Sequence, residues 1–309
     1  SAICRPERNL LPKKAIDYCR PNVIKAIEEL NPEVIIPLGA SAVKSVIGWL
    51  WKEDVGKLAR WLGWKIPCQR LNAWICPTWH PAFLVRTSAE KSNDVVAMFF
   101  ERHLREAAQL KGRPWEEVPD YGSKIRCILD IGEAAGEIDR MAGNKPEMVA
   151  FDYETNMLKP DSEEAEIVCC SMSDGERAIA YPWHGEAIKA TVRFLRSSIP
   201  KVASNLKFEH RWSKAKLGVE VSNWKWCTMT CAHVLDNRGS IAGLKFQAFV
   251  LLGAESYDDR IKPFLRASGS NEKNRIKEID LRALLHYCGM DSLLEWHVAK
   301  KQMEAMGDD

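Results

Sequence analysis

The sequence predicts an α/β protein built in two parts, and three observations support this prediction. Short apolar segments of the length of buried strands alternate with segments of helical periodicity along most of the chain. The stretch KGRPWEEVPDYG, rich in glycine, proline and charge, interrupts this alternation. The 309 residues are 46% hydrophobic and 28% charged, which suits a globular chain long enough for two cores. We expect one domain at 1–112, a linker at 113–122 and a second domain at 123–309.

The first part alternates helices with strands. Helical spacing covers residues 15–30, and EVIIPLG then follows as a short buried strand that ends at Gly39. ASAVKSVIGWL continues as a helix, AWICPTW is a second strand, and an amphipathic helix covers roughly 88–110. This order is typical of a parallel α/β layer.

The second part begins the alternation again after the linker. Five stretches have the length and apolar content of strands: KIRCILD, PEMVAFDYET, EIVCCSMSD, RAIAYPW and KVASN. Helical patterns lie at GEAAGEIDRMAG and at 185–197, and the remainder after KVASN is mostly helical. No internal repeat, low-complexity tract or heptad pattern is evident in the sequence.

Charge, hydropathy and cysteine content exclude several classes of protein. The formal net charge is only +2, so nucleic-acid binding would have to come from a local patch. No apolar stretch has the length of a membrane span or a signal peptide, and the ten cysteines are irregularly spaced like reduced thiols. We therefore expect a cytoplasmic protein with no membrane segment. Because the chain starts with Ser1, we expect a fragment, a processed product or a tagged protein.

Two carboxylates lie two residues apart in the strand MVAFDYET. Asp152 and Glu154 would point to the same face, because side chains alternate along a strand. Like charges on an apolar sheet repel, so either one carboxylate binds a proton or cations lie between them. Hard divalent cations prefer such oxygen ligands. Taken alone, an Asp-x-Glu pair more often marks an exposed acidic strand end.

Two later stretches supply further polar groups. In SNLKFEH a strand gives way to a helix, with Asn205 and Glu209 near the helix entrance. LRALLHYCGMDSLLEWHVAKK has a helical pattern that carries Tyr287 and Asp291. Residues four apart on a helix are neighbours on one face, so the phenol lies within reach of the carboxylate.

The stretches FDYET, NLKFE and YCGMD, in this order, resemble the three motifs of the DEDD 3′–5′ exonuclease superfamily. The closest likeness is to the proofreading domain of family-A DNA polymerases, and AIAYPWH and GLKFQAFVLLG resemble supporting segments of that domain. The resemblance covers about residues 123–309. It implies a ribonuclease H-like mixed sheet with flanking helices.

The resemblance also implies a set of metal ligands. Asp152, Glu154, Glu209 and Asp291 would bind two divalent cations, Mg²⁺ or Mn²⁺. Glu209 stands where the family usually has aspartate. Glutamate is one methylene longer, so it would bind a cation directly or through water.

Four residues match positions that contact the terminal nucleotide in the family: Thr155, Asn156, Leu158 and Asn205. Leu158 would act as a wedge against the last base, while Thr155 and Asn156 would line the same strand end. These roles are what the resemblance implies.

The residue that orients the attacking water has two candidates. The superfamily uses either a tyrosine four residues before the last aspartate or a histidine five residues before it, and HYCGMD supplies both His286 and Tyr287. Adjacent helical residues point about 100° apart, so only one of them can face the cations. We assign the role to Tyr287, because the rest of the domain resembles the tyrosine subgroup.

The first part resembles the C-terminal half of a family 4-type uracil-DNA glycosylase across residues 3–105, through NPEVIIPLGASAV and PTWHPAFLVR. His80 would then stabilise the departing base or contact DNA, although it could also simply end a strand. Cys4 and Cys19 match two ligands of a four-cysteine iron–sulfur cluster, and two thiolates do not hold such a cluster. The other two cysteines and the water-positioning motif would lie upstream of Ser1. We expect free thiols, no iron–sulfur cluster and no glycosylase activity in this chain.

These features together predict an enzyme that trims a single-stranded or frayed DNA 3′ end. The resemblance implies a polymerase domain C-terminal to residue 309 and a bacterial or phage-like replication context. Two alternatives remain open, an RNA-trimming exoribonuclease with the same motifs and a non-catalytic DNA-binding or scaffold module.

Overall fold

The computed structural model describes residues 14–87, 93–112, 117–269 and 271–307. The chain forms two compact units, described separately below. The first unit comprises Ser1–Val118, Arg238–Ser240 and Phe249–Ser256. The second unit comprises Pro119–Asn237, Ile241–Ala248 and Tyr257–Asp309.

The first unit contains a three-stranded sheet. Its helices and strands are α1 (Ala15–Leu30), β1 (Val34–Ile35), α2 (Gly39–Leu50), β2 (Ile66–Cys68), β3 (Ala73–Ile75), α3 (Pro81–Thr87) and α4 (Asn93–Ala108). β1 pairs with β3 in parallel, as the sequence predicted, and β2 pairs with β3 antiparallel. The sequence analysis missed β2, because IPC is too short for any alternation to be visible.

The core of the first unit takes buried side chains from α2, from the strands and from the segment between α2 and β2. Its fully buried side chains include Val43, Ile47, Trp61 and Ile75. Gly39 opens α2 with a φ of +83°, and a Cβ there would lie 2.9 Å from the Cβ of His80. Only glycine combines this left-handed backbone with so close an approach. The backbone at Gly39, where the sequence predicted a strand end, therefore lies in close contact with His80.

The second unit is built on a six-stranded sheet with helices on both faces. Its elements are β4 (Ile125–Cys127), α5 (Ile131–Gly143), β5 (Val149–Thr155), β6 (Ile167–Ser173), β7 (Ala178–Pro182), α6 (Gly185–Arg196), β8 (Lys201–Ala203), α7 (Leu206–Leu217), β9 (Trp224–Cys227), α8 (Thr228–Leu235), the first part of α9 (Leu244–Leu252), α10 (Lys262–Leu265) and α11 (Leu281–Met306). The residues of α9 from Phe249 onward belong to the first unit. The strand order is β4-β7-β6-β5-β8-β9. β5, β6 and β7 are antiparallel neighbours, whereas β4, β8 and β9 join in parallel. The predicted ribonuclease H-like mixed sheet is thus confirmed.

Strand β9 lies in a segment for which the sequence predicted mostly helix. It pairs in parallel with β8, and Trp226 is buried while Lys225 is exposed. A parallel partner is joined through a long connection, so no hairpin turn marks the strand in the sequence. Four residues also offer too little alternation to predict it.

The alternation of β5 decides which side chains meet which helix. Phe151 and Tyr153 are buried in a core with side chains of α5 and α6. Met148 and Ala150 are instead buried together with Ala299 of α11. Because successive strand residues point to opposite faces, every second residue of β5 is directed toward α11. Among the described residues, no helix is both long enough and apolar enough to cross a membrane.

Candidate active site

β5 delivers two carboxyl groups to the face of the sheet that α11 covers. Asp152 and Glu154 continue the series begun by Ala150, as the strand periodicity predicted. Cys288 of α11 lies beside them, with its Sγ 3.8 Å from Asp152 Oδ2. The carboxylate oxygens of Asp152 and Glu154 and this sulfur all lie within 4.8 Å of one another.

α11 is anchored so that one face points at β5. Its N-terminus is capped by Asp280, which accepts a hydrogen bond from the Ala283 backbone N–H. Ser171 of β6 donates a hydrogen bond of 2.6 Å to the Cys288 carbonyl. At Gly289 the helix comes so close to β4 that an added Cβ would lie 2.5 Å from Ile125 Cγ2. A larger residue at 289 would therefore push the helix away from the sheet.

Asp291 of α11 sits in a polar cluster with two residues that the sequence analysis did not select. The Tyr257 hydroxyl donates a hydrogen bond to Asp291 Oδ1. Lys245 Nζ lies 3.5 Å from Asp291 Oδ2 and donates a 2.8 Å hydrogen bond to the Tyr287 hydroxyl. Its ammonium also lies over the Tyr257 and Tyr287 rings, 5.4 and 4.8 Å from their centroids. Lys245 thereby connects Tyr287 with Asp291.

Tyr287 and His286 point in different directions, as expected for neighbours on a helix. Tyr287 is buried in this cluster, and burial followed by the charges of Asp291 and Glu154 raises its pKa well above the ordinary value. Its hydroxyl is therefore neutral. His286 is exposed, and its ring lies beside Gly122.

Glu209 reaches the cluster from the first turn of α7. The helix begins after Asn205, which acts as the N-cap residue without a side-chain capping hydrogen bond. Glu209 is only 3% exposed, and its Oε2 is buried without a hydrogen-bond partner. A buried carboxylate oxygen without a hydrogen-bond donor is costly. This oxygen is therefore available to bind a proton or a cation.

Glu295 is a fifth carboxyl group, which the sequence analysis missed. It lies one helical turn after Asp291 on α11 and is 0% exposed. Its Oε1 accepts a 3.0 Å hydrogen bond from the Ser204 backbone N–H, between β8 and α7. Its Oε2, like that of Glu209, is buried without a partner. The spacing of four residues from Asp291 places Glu295 on the same helix face. The surrounding apolar residues LLEW made this relation difficult to recognise in the sequence.

Burial and mutual repulsion control the protonation of these groups. Burial raises the pKa of Asp152 well above its ordinary value, and the charge of Asp291 raises it further. Burial and then the charge of Asp152 do the same for Glu154, Glu209 and Glu295. Asp152 thus lies at the electrostatic centre of the cluster.

Lys245 supplies positive charge to this cluster. Burial lowers its pKa, but the charges of Asp291 and other carboxylates outweigh that effect and raise the pKa overall. Within the described ranges, the five carboxyl groups make one ion pair, between Asp291 and Lys245. One lysine cannot neutralise five carboxylates.

The donor set therefore fits a divalent metal ion. Carboxylate oxygens are the ligands that Mg²⁺ and Mn²⁺ prefer, and those of Asp152 and Glu154 lie close together on one face. Among the described residues, the group within 4.8 Å comprises Asp152, Glu154 and Cys288, so Glu209 and Asp291 lie farther from this pair. The Oε2 atom of Glu209 is buried without a hydrogen-bond partner among the same residues. A cation here would replace the protons that these groups otherwise retain.

Two of the four residues expected to contact substrate have their side chains engaged by the protein. Thr155 donates a 2.7 Å hydrogen bond to the Met157 carbonyl. Asn156 donates to the Glu164 carbonyl and accepts from the Glu166 backbone N–H, at 2.9 and 2.8 Å. Both side chains shape the loop after β5.

The other two expected substrate contacts differ in exposure. Leu158 is 63% exposed in the loop after β5. Asn205 is half-buried at the start of α7, close in sequence to Glu209.

The residues predicted in the first unit show no comparable cluster among the described parts of the chain. His80 is exposed, and its Nδ1 accepts a 3.1 Å hydrogen bond from the Ala82 backbone N–H at the start of α3. It therefore begins a helix rather than ending a strand. Cys19 is a free thiol on α1, and Cys4 lies outside the described residues.

Two family models match the chain. The model of the uracil DNA glycosylase superfamily matches residues 1–103. The 3′-5′ exonuclease model matches residues 128–305, more than half of the chain. The predicted order, a glycosylase-like segment followed by an exonuclease domain, is thus confirmed. No curated protein matches the chain in sequence.

Several solved structures are similar to the chain at low sequence identity. Brucella melitensis NrnC is 18% identical, with a TM-score of 0.43 over 60% of this chain and 84% of that chain. Escherichia coli RNase D, an exoribonuclease involved in structured RNA processing, is 15% identical, with a TM-score of 0.45 over 59% and 46%. The POL domain of Pol1 from M. smegmatis, in complex with DNA primer-template and dNTP, is 10% identical, with a TM-score of 0.42 over 59% and 27%.

Proposed function

The chain belongs to the 3′-5′ exonuclease family, and we propose that it hydrolyses the terminal phosphodiester at DNA 3′ ends with two divalent cations. One observation carries this proposal. Among the described residues, carboxyl groups from β5, α7 and α11 interact with Asp152, and a single ion pair, between Asp291 and Lys245, opposes their charge. Buried carboxylates that serve only the fold are usually paired with arginine or lysine.

Asp152, Glu154, Glu209 and Asp291 are the residues that would hold the cations. Bound by these residues, divalent cations would supply an activated hydroxide and positive charge for the phosphate oxygens and the leaving alkoxide. Glu154, Glu209 and Asp291 are buried, which removes competing water from their oxygens, and Asp152 is half-buried beside them. The carboxylates therefore bind cations in a fixed arrangement rather than as solvated surface charges.

Tyr287 is the group proposed to orient the attacking water. Its hydroxyl accepts a hydrogen bond from Lys245, which leaves its own proton free to donate. Because its raised pKa keeps the phenol neutral, the hydroxyl can donate that proton throughout the physiological pH range. Lys245 positions Tyr287 and contributes positive charge beside Asp291.

The substrate is proposed to be a single-stranded or frayed DNA 3′ end. The exposed Leu158 would pack against the terminal base, and Asn205 would contact the terminal nucleotide. A proofreading role would place a polymerase domain C-terminal to this chain in the complete protein.

The decisive assay follows 5′-labelled single-stranded DNA and RNA of the same sequence with Mg²⁺ or Mn²⁺. We expect stepwise shortening of the DNA from its 3′ end. The Asp152→Ala variant should lose about 4 kcal/mol of transition-state stabilisation, or about a thousandfold in rate. Glu304→Gln, an exposed change on α11, serves as the control and should retain wild-type activity.

Three results would contradict parts of the proposal. Unchanged hydrolysis by Asp152→Ala would exclude the mechanism. Faster shortening of RNA than DNA would favour an RNA-trimming enzyme. Single-strand binding without cleavage at any metal concentration would favour a non-catalytic module.

A second pair of variants tests the assignment of the water-orienting residue. Tyr287→Phe removes only the hydroxyl and should lower kcat about a hundredfold with little change in KM. His286→Ala changes an exposed ring and should leave kcat near the wild-type value. The reverse result would give the role to His286.

A further inference from the structure

We propose that Glu295 is a further cation ligand, whose free carboxylate oxygen binds one divalent cation together with that of Glu209. This inference rests on the proposed function, because it adds a ligand to the same cation site. Glu295 belongs to none of the three motifs that pointed to the site. The proposed position lies at the end of the cluster where β8 leads into α7.

The first argument is the state of the two Oε2 atoms. Both belong to side chains that are at least nine-tenths buried, and both lack any hydrogen-bond partner among the described residues. A buried oxygen without a donor costs about 1–3 kcal/mol, and more if it carries charge. Protonation alone does not remove this cost, since a carboxylic acid proton also requires an acceptor. A cation between the two oxygens would satisfy both.

The second argument is the way Glu295 is held. Its Oε1 accepts the hydrogen bond from the Ser204 backbone N–H, which fixes the carboxyl group against the segment that starts α7. Ser204 lies directly before Asn205, the N-cap residue of the helix that carries Glu209. One oxygen of Glu295 therefore attaches α11 to α7, and the other oxygen remains available.

The third argument is the position of Glu295 on α11. Residues four apart lie on the same helix face, so Glu295 continues the row formed by Tyr287 and Asp291. Its Oε1 meets the Ser204 backbone N–H, so this helix face is directed toward the segment where β8 leads into α7.

A role as a structural tether alone does not explain the residue. The hydrogen bond to Ser204 N–H requires one oxygen acceptor, which glutamine would supply equally well without a charge. Burying a second, unpaired carboxylate oxygen would then only destabilise the fold. The carboxylate becomes favourable once its free oxygen coordinates a cation.

The test counts bound Mn²⁺ by electron paramagnetic resonance in the 309-residue chain, using Mn²⁺ alone as the probe. Glu295→Gln retains the acceptor for Ser204 N–H and removes the charge. Glu295→Ala removes both. Glu304→Gln makes the same chemical change at an exposed position of the same helix. Circular dichroism and thermal melting in EDTA verify that each variant folds.

We expect two Mn²⁺ ions per wild-type chain. Glu295→Gln and Glu295→Ala should each weaken one of them by at least about tenfold, and Glu304→Gln should weaken neither. If the wild-type chain binds a single ion, Glu295→Gln must weaken that ion for the inference to stand. Wild-type Mn²⁺ affinity in Glu295→Gln would overturn it and leave Glu295 as a tether. In that case, Glu295→Ala alone would show a lower melting temperature.

DNA hydrolysis by the same samples separates this inference from the proposed function. A wild-type chain that binds Mn²⁺ but releases no nucleotide contradicts the exonuclease proposal. The effect of Glu295→Gln on Mn²⁺ binding would still decide the role of this residue. Conversely, normal hydrolysis with unchanged Mn²⁺ binding in Glu295→Gln contradicts only the further inference.

Discussion

Two buried acidic centres of the second unit surround their carboxyl groups in opposite ways. Glu137 on α5, whose side chain is 3% exposed, pairs with the guanidinium groups of Arg126, Arg140 and Arg177. Burial raises the pKa of Glu137, but the arginines outweigh burial and hold the pKa below its ordinary value. Glu137 is therefore charged and fully compensated by the protein itself.

The cluster around Asp152 lacks such compensation. Burial and like charges raise the pKa values of Asp152, Glu154, Glu209 and Glu295, and free oxygens remain on two of them. Among the described residues, three arginines thus pair with one buried glutamate, whereas a single lysine pairs with the five carboxyl groups. The first centre is balanced by arginines, while the second retains protons that the proposed cations would replace.

Metal removal should separate the two centres most strongly. Mn²⁺ at a hundred times its dissociation constant should add about 2.7 kcal/mol to the free energy of unfolding of the second unit, relative to EDTA. Asp152→Asn should lose most of this shift, because the central ligand is gone. Glu137→Gln should retain it. Melting curves in EDTA and in Mn²⁺ measure the effect, and identical curves for the wild type would contradict a cation site.

The converse change tests the compensated centre. Glu137→Gln should lower the free energy of unfolding by about 2 kcal/mol, because three guanidinium groups lose their shared anion while remaining partly solvated. Nuclease activity per folded molecule should be unchanged, since this centre lies on a different helix from the ligands. Urea unfolding measures the loss, with Asp139→Asn on the exposed side of α5 as the control. A loss below about 0.5 kcal/mol would mean that solvent already screens the arginines.

The pH dependence of stability should have opposite signs at the two centres. A carboxyl group with a raised pKa stabilises the fold at and below its ordinary pKa, and this contribution is lost as pH rises through the raised value. In EDTA, wild-type stability should therefore fall, as pH rises above the ordinary carboxyl range, more steeply than that of Asp152→Asn. The lowered pKa of Glu137 gives the reverse, a contribution present above its ordinary value of 4.5 and lost in acid. Equal slopes for wild type and Asp152→Asn would contradict this assignment.

The smallest expected effect concerns the choice of cation. Cys288 adds a sulfur donor beside Asp152 and Glu154, which suits thiophilic cations better than Mg²⁺. Cys288→Ser should leave Mg²⁺-supported hydrolysis nearly unchanged and weaken Cd²⁺ binding about threefold. Titration of Cd²⁺ against both proteins measures the difference. An equally large loss of Mg²⁺-supported activity would show that Cys288 has a structural role instead.

Much of this arrangement followed from periodicity in the sequence. Alternation along β5 predicted that Asp152 and Glu154 share a face, and the structure places both toward α11. The i,i+4 rule brought Tyr287 and Asp291 to one side of their helix. Both predictions depend on local geometry alone, which the sequence determines directly.

The residues that the sequence did not reveal depend on contacts between distant segments. Lys245 lies in a helical run where nothing local distinguishes an inward-pointing lysine from a solvated one, and Tyr257 follows that helix in a loop. Both reach Tyr287 or Asp291 only through the tertiary fold. Glu295 was recognisable in principle, because an acidic residue in a buried apolar helix face requires a reason.

At Gly289 the helix α11 approaches Ile125 so closely that an added β-carbon would lie 2.5 Å from its Cγ2. The absence of a β-carbon at this residue allows α11 to lie close to the sheet. The spacing between α11 and the sheet also separates the carboxyl groups of α11 from those of β5. An added methyl group at residue 289 would move α11 away from the sheet. The carboxyl groups of α11 would then lie farther from those of β5. A substitution at such a position would act on the proposed site through distance alone.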